Sequence, residues 1–226
     1  MVTNIFVTNI FKDRRDAGQF LARRLTKYRN RDDVVVFGLP RGGVPVAYEV
    51  AKALNAPLDI FVVRKLGVPG FKEYAIGAIA SGGIRVLNEA LVSQLDIPLE
   101  VVDEVTAREF TELERQERLY RGARNSLDVT GKTVIIVDDG MATGSTMRAA
   151  ISALRKRNPK KIVIAVPVGE REVCNSFKHE VDTVAICAMM PEPFNAVGVF
   201  YRNFPQTTDA EVQGLLRQAL QTKIAA

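Results

Sequence analysis

The feature that most constrains this chain is Val134-Ile-Ile-Val137-Asp138-Asp139-Gly140-Met141-Ala142-Thr143-Gly144-Ser145-Thr146-Met147. β-Branched residues in an unbroken run suit a strand covered on both faces, as in a parallel sheet with helices on each side. Asp138 and Asp139 then fall at the carboxyl end of that strand, where open α/β sheets bind ligands. Ala142 to Thr146 carry little bulk, so backbone N–H groups can close around a phosphate at the start of a helix predicted over Met147 to Arg155. Ser145 and Thr146 add hydroxyl donors. The stretch reads as a site for a sugar phosphate, although a strand-to-helix turn with an aspartate cap uses similar letters.

Two further stretches have the same build. In Asp33-Val-Val-Val-Phe-Gly38-Leu39-Pro40-Arg41-Gly42-Gly43-Val44-Pro45 an apolar strand runs into a glycine-rich turn, with a helix predicted over Val46 to Leu54. Phe61-Val62-Val63-Arg64-Lys65-Leu66-Gly67-Val68-Pro69-Gly70 is read as a strand whose end releases a basic pair. Lys161 to Val168 and Val181 to Cys187 read as two more buried strands with a short helix between them. The fold class is therefore α/β, with a mostly parallel central sheet of about five strands flanked by helices.

Two acids after an apolar strand, followed by Ala-Thr-Gly-Ser-Thr, resemble the phosphoribosyl pyrophosphate (PRPP) motif of the type I phosphoribosyltransferases. The resemblance covers most of residues 30 to 170, and the chain is most similar to an uncharacterised bacterial group within that family. It implies that Asp138 and Asp139 hold the ribose hydroxyls, while Gly140, Ala142, Thr143, Gly144, Ser145 and Thr146 hold the 5′-phosphate. Pro40, Arg41, Gly42 and Gly43 match the pyrophosphate loop, which in the family often contains a cis peptide. Arg64 and Lys65 resemble the basic pair of the adenine branch, which reaches the pyrophosphate. Arg41, Lys65, Asp138 and Asp139 are thereby implied in catalysis. The 6-oxopurine enzymes have an aspartate where this chain has Ala142. The adenine enzymes share the alanine and use a glutamate from a mobile loop, for which Glu73 is the nearest candidate. The acceptor implied is a nitrogenous base, purine-like by preference, within nucleotide salvage, and Ala142 leaves adenine, a 6-oxopurine, a pyrimidine and a non-nucleobase amine all open. Mg2+ is the implied cofactor, bound near Asp138 and Asp139 mainly through substrate and water, and a homodimer is the family's usual state. A PRPP-sensing regulator or an RNA-binding module is the alternative reading.

A single phosphoribosyltransferase domain over 1–226 is expected, with an insertion over about 68–128 and a hood over about 189–226. Ala75 to Ala80 and Ile84 to Leu87, separated by Ser81-Gly82-Gly83, read as a β-hairpin. Leu99 to Tyr120 is predicted helical from the spacing of Val102, Val105, Phe110, Leu113 and Leu119, with Glu104/Arg108, Glu114/Arg118 and Glu117/Arg121 spaced for pairing on an exposed face. The resemblance makes this insertion an elaborated lid, with a packing arm or dimer contact as the other reading. Glu73 and Tyr74 could be carried towards a bound base. In the hood, Phe194 and Tyr201 are candidates to stack on that base. A closing helix is expected from Thr207 to Ile224, capped near Thr208 or Asp209.

At 47% hydrophobic and 25% charged, the 226 residues have an ordinary globular balance. No segment reads as a membrane span or export signal, so a soluble cytoplasmic protein is expected. The net charge of +5 invites a nucleic-acid reading. However, Arg14, Arg15, Arg23, Arg24, Lys27, Arg29 and Arg31, and again Arg155, Lys156, Arg157, Lys160 and Lys161, read as solvated basic helix faces. No zinc finger, helix-turn-helix or RNP pattern accompanies them. Cys174 and Cys187 lack metal-ligand spacing, and His179 is the only histidine, so the cysteines read as free structural thiols.

Overall fold

Thr133–Val137 forms the middle strand of the central sheet, and all five of its residues are buried. The computed structural model describes residues 11–68, 71–181, 186–189 and 194–224. Strands β1 (Val34–Gly38), β2 (Leu58–Ile60), β6 (Thr133–Val137), β7 (Lys161–Val168) and β8 (Ile186–Met189) pair in the order β2-β1-β6-β7-β8, every pair parallel. The chain moves outward from β1 to β2, returns to the other side of β1 as β6, and continues outward through β7 and β8. The direction of winding thus reverses between β1 and β6, and the crevice beyond the carboxyl ends of these two strands is where such sheets take ligands.

Alternate residues of the strands serve opposite faces. Val34, Val36, Ile135 and Val137 pack with α1 (Arg14–Arg24), α2 (Gly43–Leu54), α4 (Leu99–Arg121) and α7 (Asp209–Ile224). Val35, Phe37, Val134 and Ile136 pack with α5 (Ser145–Arg155) and α6 (Arg171–Glu180). Apolar side chains on both faces account for the unbroken hydrophobic runs in the sequence.

Between β2 and β6 the chain builds a separate antiparallel sheet, β3-β4-β5, from Val63–Val68, Phe71–Ala80 and Ile84–Leu87. The expected hairpin is present and turns at Gly82 and Gly83, both at positive φ. A short helix, α3 (Glu89–Gln94), leads to α4. Two features bind this insertion to the edge of the central sheet. Val62 N–H donates to Ser81 Oγ and Ser81 N–H to the Val62 carbonyl, each at 2.9 Å. Arg121, at the end of α4, is buried with Asp59 of β2: its Nε lies 2.9 and 3.0 Å from the two carboxylate oxygens, and Nη2 donates to the Ile60 carbonyl at 2.6 Å.

The structure corrects several expectations. Arg64 and Lys65 do not end a strand of the central sheet; that strand stops at Ile60, and the basic pair lies inside β3, in register with Ile79 and Ala78. The hydrogen bonds available along β4 draw residues 63–68 out of the parallel sheet. Glu117 does pair with Arg121, but on the buried side of α4. In the second basic cluster Arg155, Lys156 and Lys160 are exposed, as a solvated face requires, whereas Arg157 is half-buried and donates to the Leu127 carbonyl. Cys174 is disulfide-bonded instead of free, since spacing along the chain does not report how closely elements approach in space. Among the described residues no helix is long and apolar enough to cross a membrane.

Candidate active site

Asp138 and Asp139 leave β6 at the reversal of winding, as their place after the apolar run requires. Asp138 Oδ1 accepts from the backbone N–H of Asp139 at 2.8 Å. Burial, and then the neighbouring Asp139 charge, push the Asp138 carboxyl well above the ordinary range. Burial also raises Asp139, opposed by the hydrogen bond and charge of Arg14. Arg14, on the first turn of α1, places Nε 2.8 Å from Asp139 Oδ2 and Nη1 2.6 Å from the Pro205 carbonyl, with its guanidinium 3.8 Å from the centre of the Phe204 ring. The Tyr201 hydroxyl donates to the Asp139 carbonyl.

The loop after β1 closes directly on this pair. Leu39 N–H donates to the Val137 carbonyl at 2.9 Å, and the Pro40–Arg41 peptide is cis. A Cβ on Gly42 would lie 2.1 Å from Asp139 Oδ2, and one on Gly43 2.6 Å from the Val137 carbonyl oxygen. Only glycine lets this backbone touch the acids. Arg41 turns towards α7, its Nη1 3.7 Å from Asp209, whose carboxylate also accepts from the Tyr120 hydroxyl at 2.6 Å.

On the other side of the acids lies the small-residue loop. Met141 is buried and anchors the loop to the end of β7, donating to the Val168 carbonyl and accepting from Glu170 N–H. Ala142, Thr143 and Thr146 are exposed. Gly144 takes φ +70°, and a Cβ there would lie 2.8 Å from both Phe177 and Val173. The N-cap Gly144 offers no side chain to α5, and Thr143 Oγ1 reaches Ser145 N–H only at 3.5 Å, so the first N–H groups face a concave loop with the positive end of the helix dipole behind them. Thr143 and Ser145 hydroxyls lie 3.1 Å apart in this cradle. Arg148 braces it from α5, reaching the Thr143 carbonyl, Ser176 and Glu180.

A recessed acid pair between two glycine-dependent loops, one at a helix start, is suited to a polyhydroxylated ligand with phosphate groups. Residues 66–187 match the family model of the phosphoribosyl transferase domain. The chain belongs to this family. It is 47% identical over 210 residues to a putative phosphoribosyl transferase of Mycobacterium tuberculosis, an alignment covering 93% of this chain and 47% of that protein. The chain thus spans about half the length of the curated relatives it matches first. A crystal structure of TT1426 from Thermus thermophilus is similar with a TM-score of 0.81 and 38% identity, covering 92% of this chain and 98% of that one. The bifunctional protein PyrR of Actinobacillus pleuropneumoniae is 37% identical over 87 residues, or 37% of this chain and 49% of that protein.

Of the residues that the phosphoribosyl transferase resemblance pointed to, Asp138, Asp139, Gly140, Ala142 to Thr146 and Pro40 to Gly43 lie on the two neighbouring loops. Arg64 is instead held by Glu109 of α4 at 2.8 Å, and with the exposed Lys65 it lines a separate groove of about 550 Å3 that also includes Arg108. Glu73 and Tyr74 belong to β4, with side chains outside the described residues. Phe194 is half-buried and stacked on Phe200 at 5.2 Å. Tyr201 has a different place from the expected stacking platform: it is buried, its ring lies against Phe11 and Phe204, and its hydroxyl supports the acid loop. Sequence reading missed Arg14, which it placed on a solvated face. Neither Arg14 nor Tyr201 lies in the span that the family model matches, and no local pattern marks either one. Among the described residues no three metal-binding side chains converge.

Proposed function

We propose that the protein transfers the 5-phosphoribosyl group of PRPP to a nitrogenous base and releases pyrophosphate. The observation that carries this reading is the contact of the Gly42 backbone with the Asp139 carboxylate, next to an uncapped helix start across the same crevice. A ribose over the acids would extend its 5′-phosphate into the cradle of residues 140–146 and its diphosphate along residues 40–43.

In the transfer, the bond from ribose C1 to the pyrophosphate oxygen breaks and a bond from C1 to a base nitrogen forms. Positive charge develops on the sugar and negative charge on the leaving oxygen, so electrostatic stabilisation at both ends supplies much of the acceleration. Asp138 and Asp139 accept hydrogen bonds from the ribose hydroxyls and orient the ring. Arg41 is partly exposed, at 38%, and its ion pair to Asp209 is long, which leaves its guanidinium available to a departing pyrophosphate. Two desolvated carboxylates fit a divalent cation shared with substrate oxygens, so Asp138 and Asp139 are the residues that would hold Mg2+. Bound there, the ion would neutralise charge on the pyrophosphate and ribose oxygens. A purine-like acceptor is favoured, consistent with Ala142 in the motif, as is a homodimer in the cytoplasm serving nucleotide salvage.

The test is a panel of bases incubated with PRPP and magnesium, with pyrophosphate as the readout. Asp139→Asn should lower the rate at least about tenfold, the effect of losing one charged hydrogen bond. An unchanged rate would falsify the ribose role. Micromolar PRPP binding by calorimetry without turnover of any base would favour a PRPP-responsive regulator.

A further inference from the structure

We infer that Arg14 is a positioning residue of the sugar site, engaging one oxygen of Asp139 so that the other is presented to ribose. This rests on the phosphoribosyl-transfer reading and adds to it a residue outside the family-matched span. Arg14 is itself fixed. Its side chain is 11% exposed, Nη1 is held by the Pro205 carbonyl at 2.6 Å, and the plane is packed at 3.8 Å on Phe204. Phe204 in turn lies 4.8 Å from Tyr201, centre to centre, and the Tyr201 hydroxyl bonds the Asp139 carbonyl.

The consequence is a division of labour between the oxygens of Asp139. Oδ2 is engaged by Arg14 Nε at 2.8 Å and stands against Gly42. Among the described residues no other residue donates a hydrogen bond to Oδ1, which is the open acceptor. A carboxylate with one oxygen tethered and the other open is pre-oriented for a hydroxyl donor, so little rotational freedom is lost on binding. An untethered Asp139 beside Asp138 would turn away from its neighbour's charge.

The experiment measures binding of ribose 5-phosphate, PRPP and inorganic pyrophosphate to the wild-type protein and to Arg14→Gln, Arg14→Lys and Phe204→Leu. Measured without divalent cations, Arg14→Gln should weaken both ribose ligands about tenfold and leave pyrophosphate affinity unchanged, because without a bridging metal only the sugar meets Asp139. Arg14→Lys should recover part of the loss, and Phe204→Leu should show a smaller loss of the same kind. A structural staple alone would lower the melting temperature and leave the ratio of ribose to pyrophosphate affinity unchanged; that result would overturn the proposal. Tighter ribose binding in Arg14→Gln would also overturn it, by making Arg14 a competitor for Asp139. If Arg14→Gln does not fold, Arg14→Lys and Phe204→Leu decide by the same ratio. Failure of the wild-type protein to bind PRPP would defeat the phosphoribosyl reading and the inference together, whereas normal binding with unaffected variants defeats the inference alone.

Discussion

At the scale of single residues, the acid pair opposes folding. Burial and mutual repulsion raise the folded-state pKa of Asp138, and burial raises that of Asp139. For a carboxyl raised in this way, the unfolded chain releases its proton first. Stability is therefore lost as pH climbs from the unfolded value to the raised folded value, and stays lost above it. Asp138→Asn keeps an oxygen that can accept from Asp139 N–H and removes the ionisation. It should raise the melting temperature at pH above the raised folded-state value, with the gain shrinking as pH falls from that value to the ordinary carboxylate range, while weakening PRPP binding. Thermal melts of both proteins across pH check this; a shift of equal size at every pH would contradict the electrostatic origin. The same two residues were legible in the sequence because the strand that delivers them is contiguous with them. Arg14 was not, because the contact that defines it spans 125 positions.

Among the elements, α4 shows how far periodicity reaches and where it stops. The apolar spacing of Val102, Val105 and Leu113 gave a helix whose observed end, Arg121, lies one residue beyond the expected Tyr120. The same pattern put Arg121 on an exposed face, yet it is buried against Asp59 with 4% of either side chain exposed. Charge spacing along a helix reports which side chains are neighbours on that helix, but not what packs against them. Breaking a buried pair strands the remaining charge, so Asp59→Asn should cost about 3–5 kcal/mol. Urea unfolding measures it, and a loss below about 1 kcal/mol, the scale of a surface pair, would rule out the anchoring role.

For the molecule as a whole, the insertion behaves as part of the core. Val102, Val105, Leu113 and Tyr120 join the same apolar cluster as Val36 and Ile135 of the central strands, so α4 packs on the central sheet. Amides along 102–120 should therefore resist hydrogen exchange nearly as long as those of β6. Exchange within seconds across α4 would show that the helix opens independently of the sheet.

The sequence by itself determined the strands at Val34–Gly38, Thr133–Val137 and Lys161–Val168, the acids at a strand's end, the two glycine loops and the helices beside them. These depend on turn chemistry and side-chain alternation among adjacent residues, which act before any distant contact forms. Only the tertiary structure decided that β3 leaves the parallel sheet, that Arg64 meets Glu109, that Tyr201 supports the acid loop and that Arg14 grips Asp139. Each of those depends on which surfaces bury one another once the winding reverses between β1 and β6, and packing between segments far apart in the chain leaves no periodic mark on either segment.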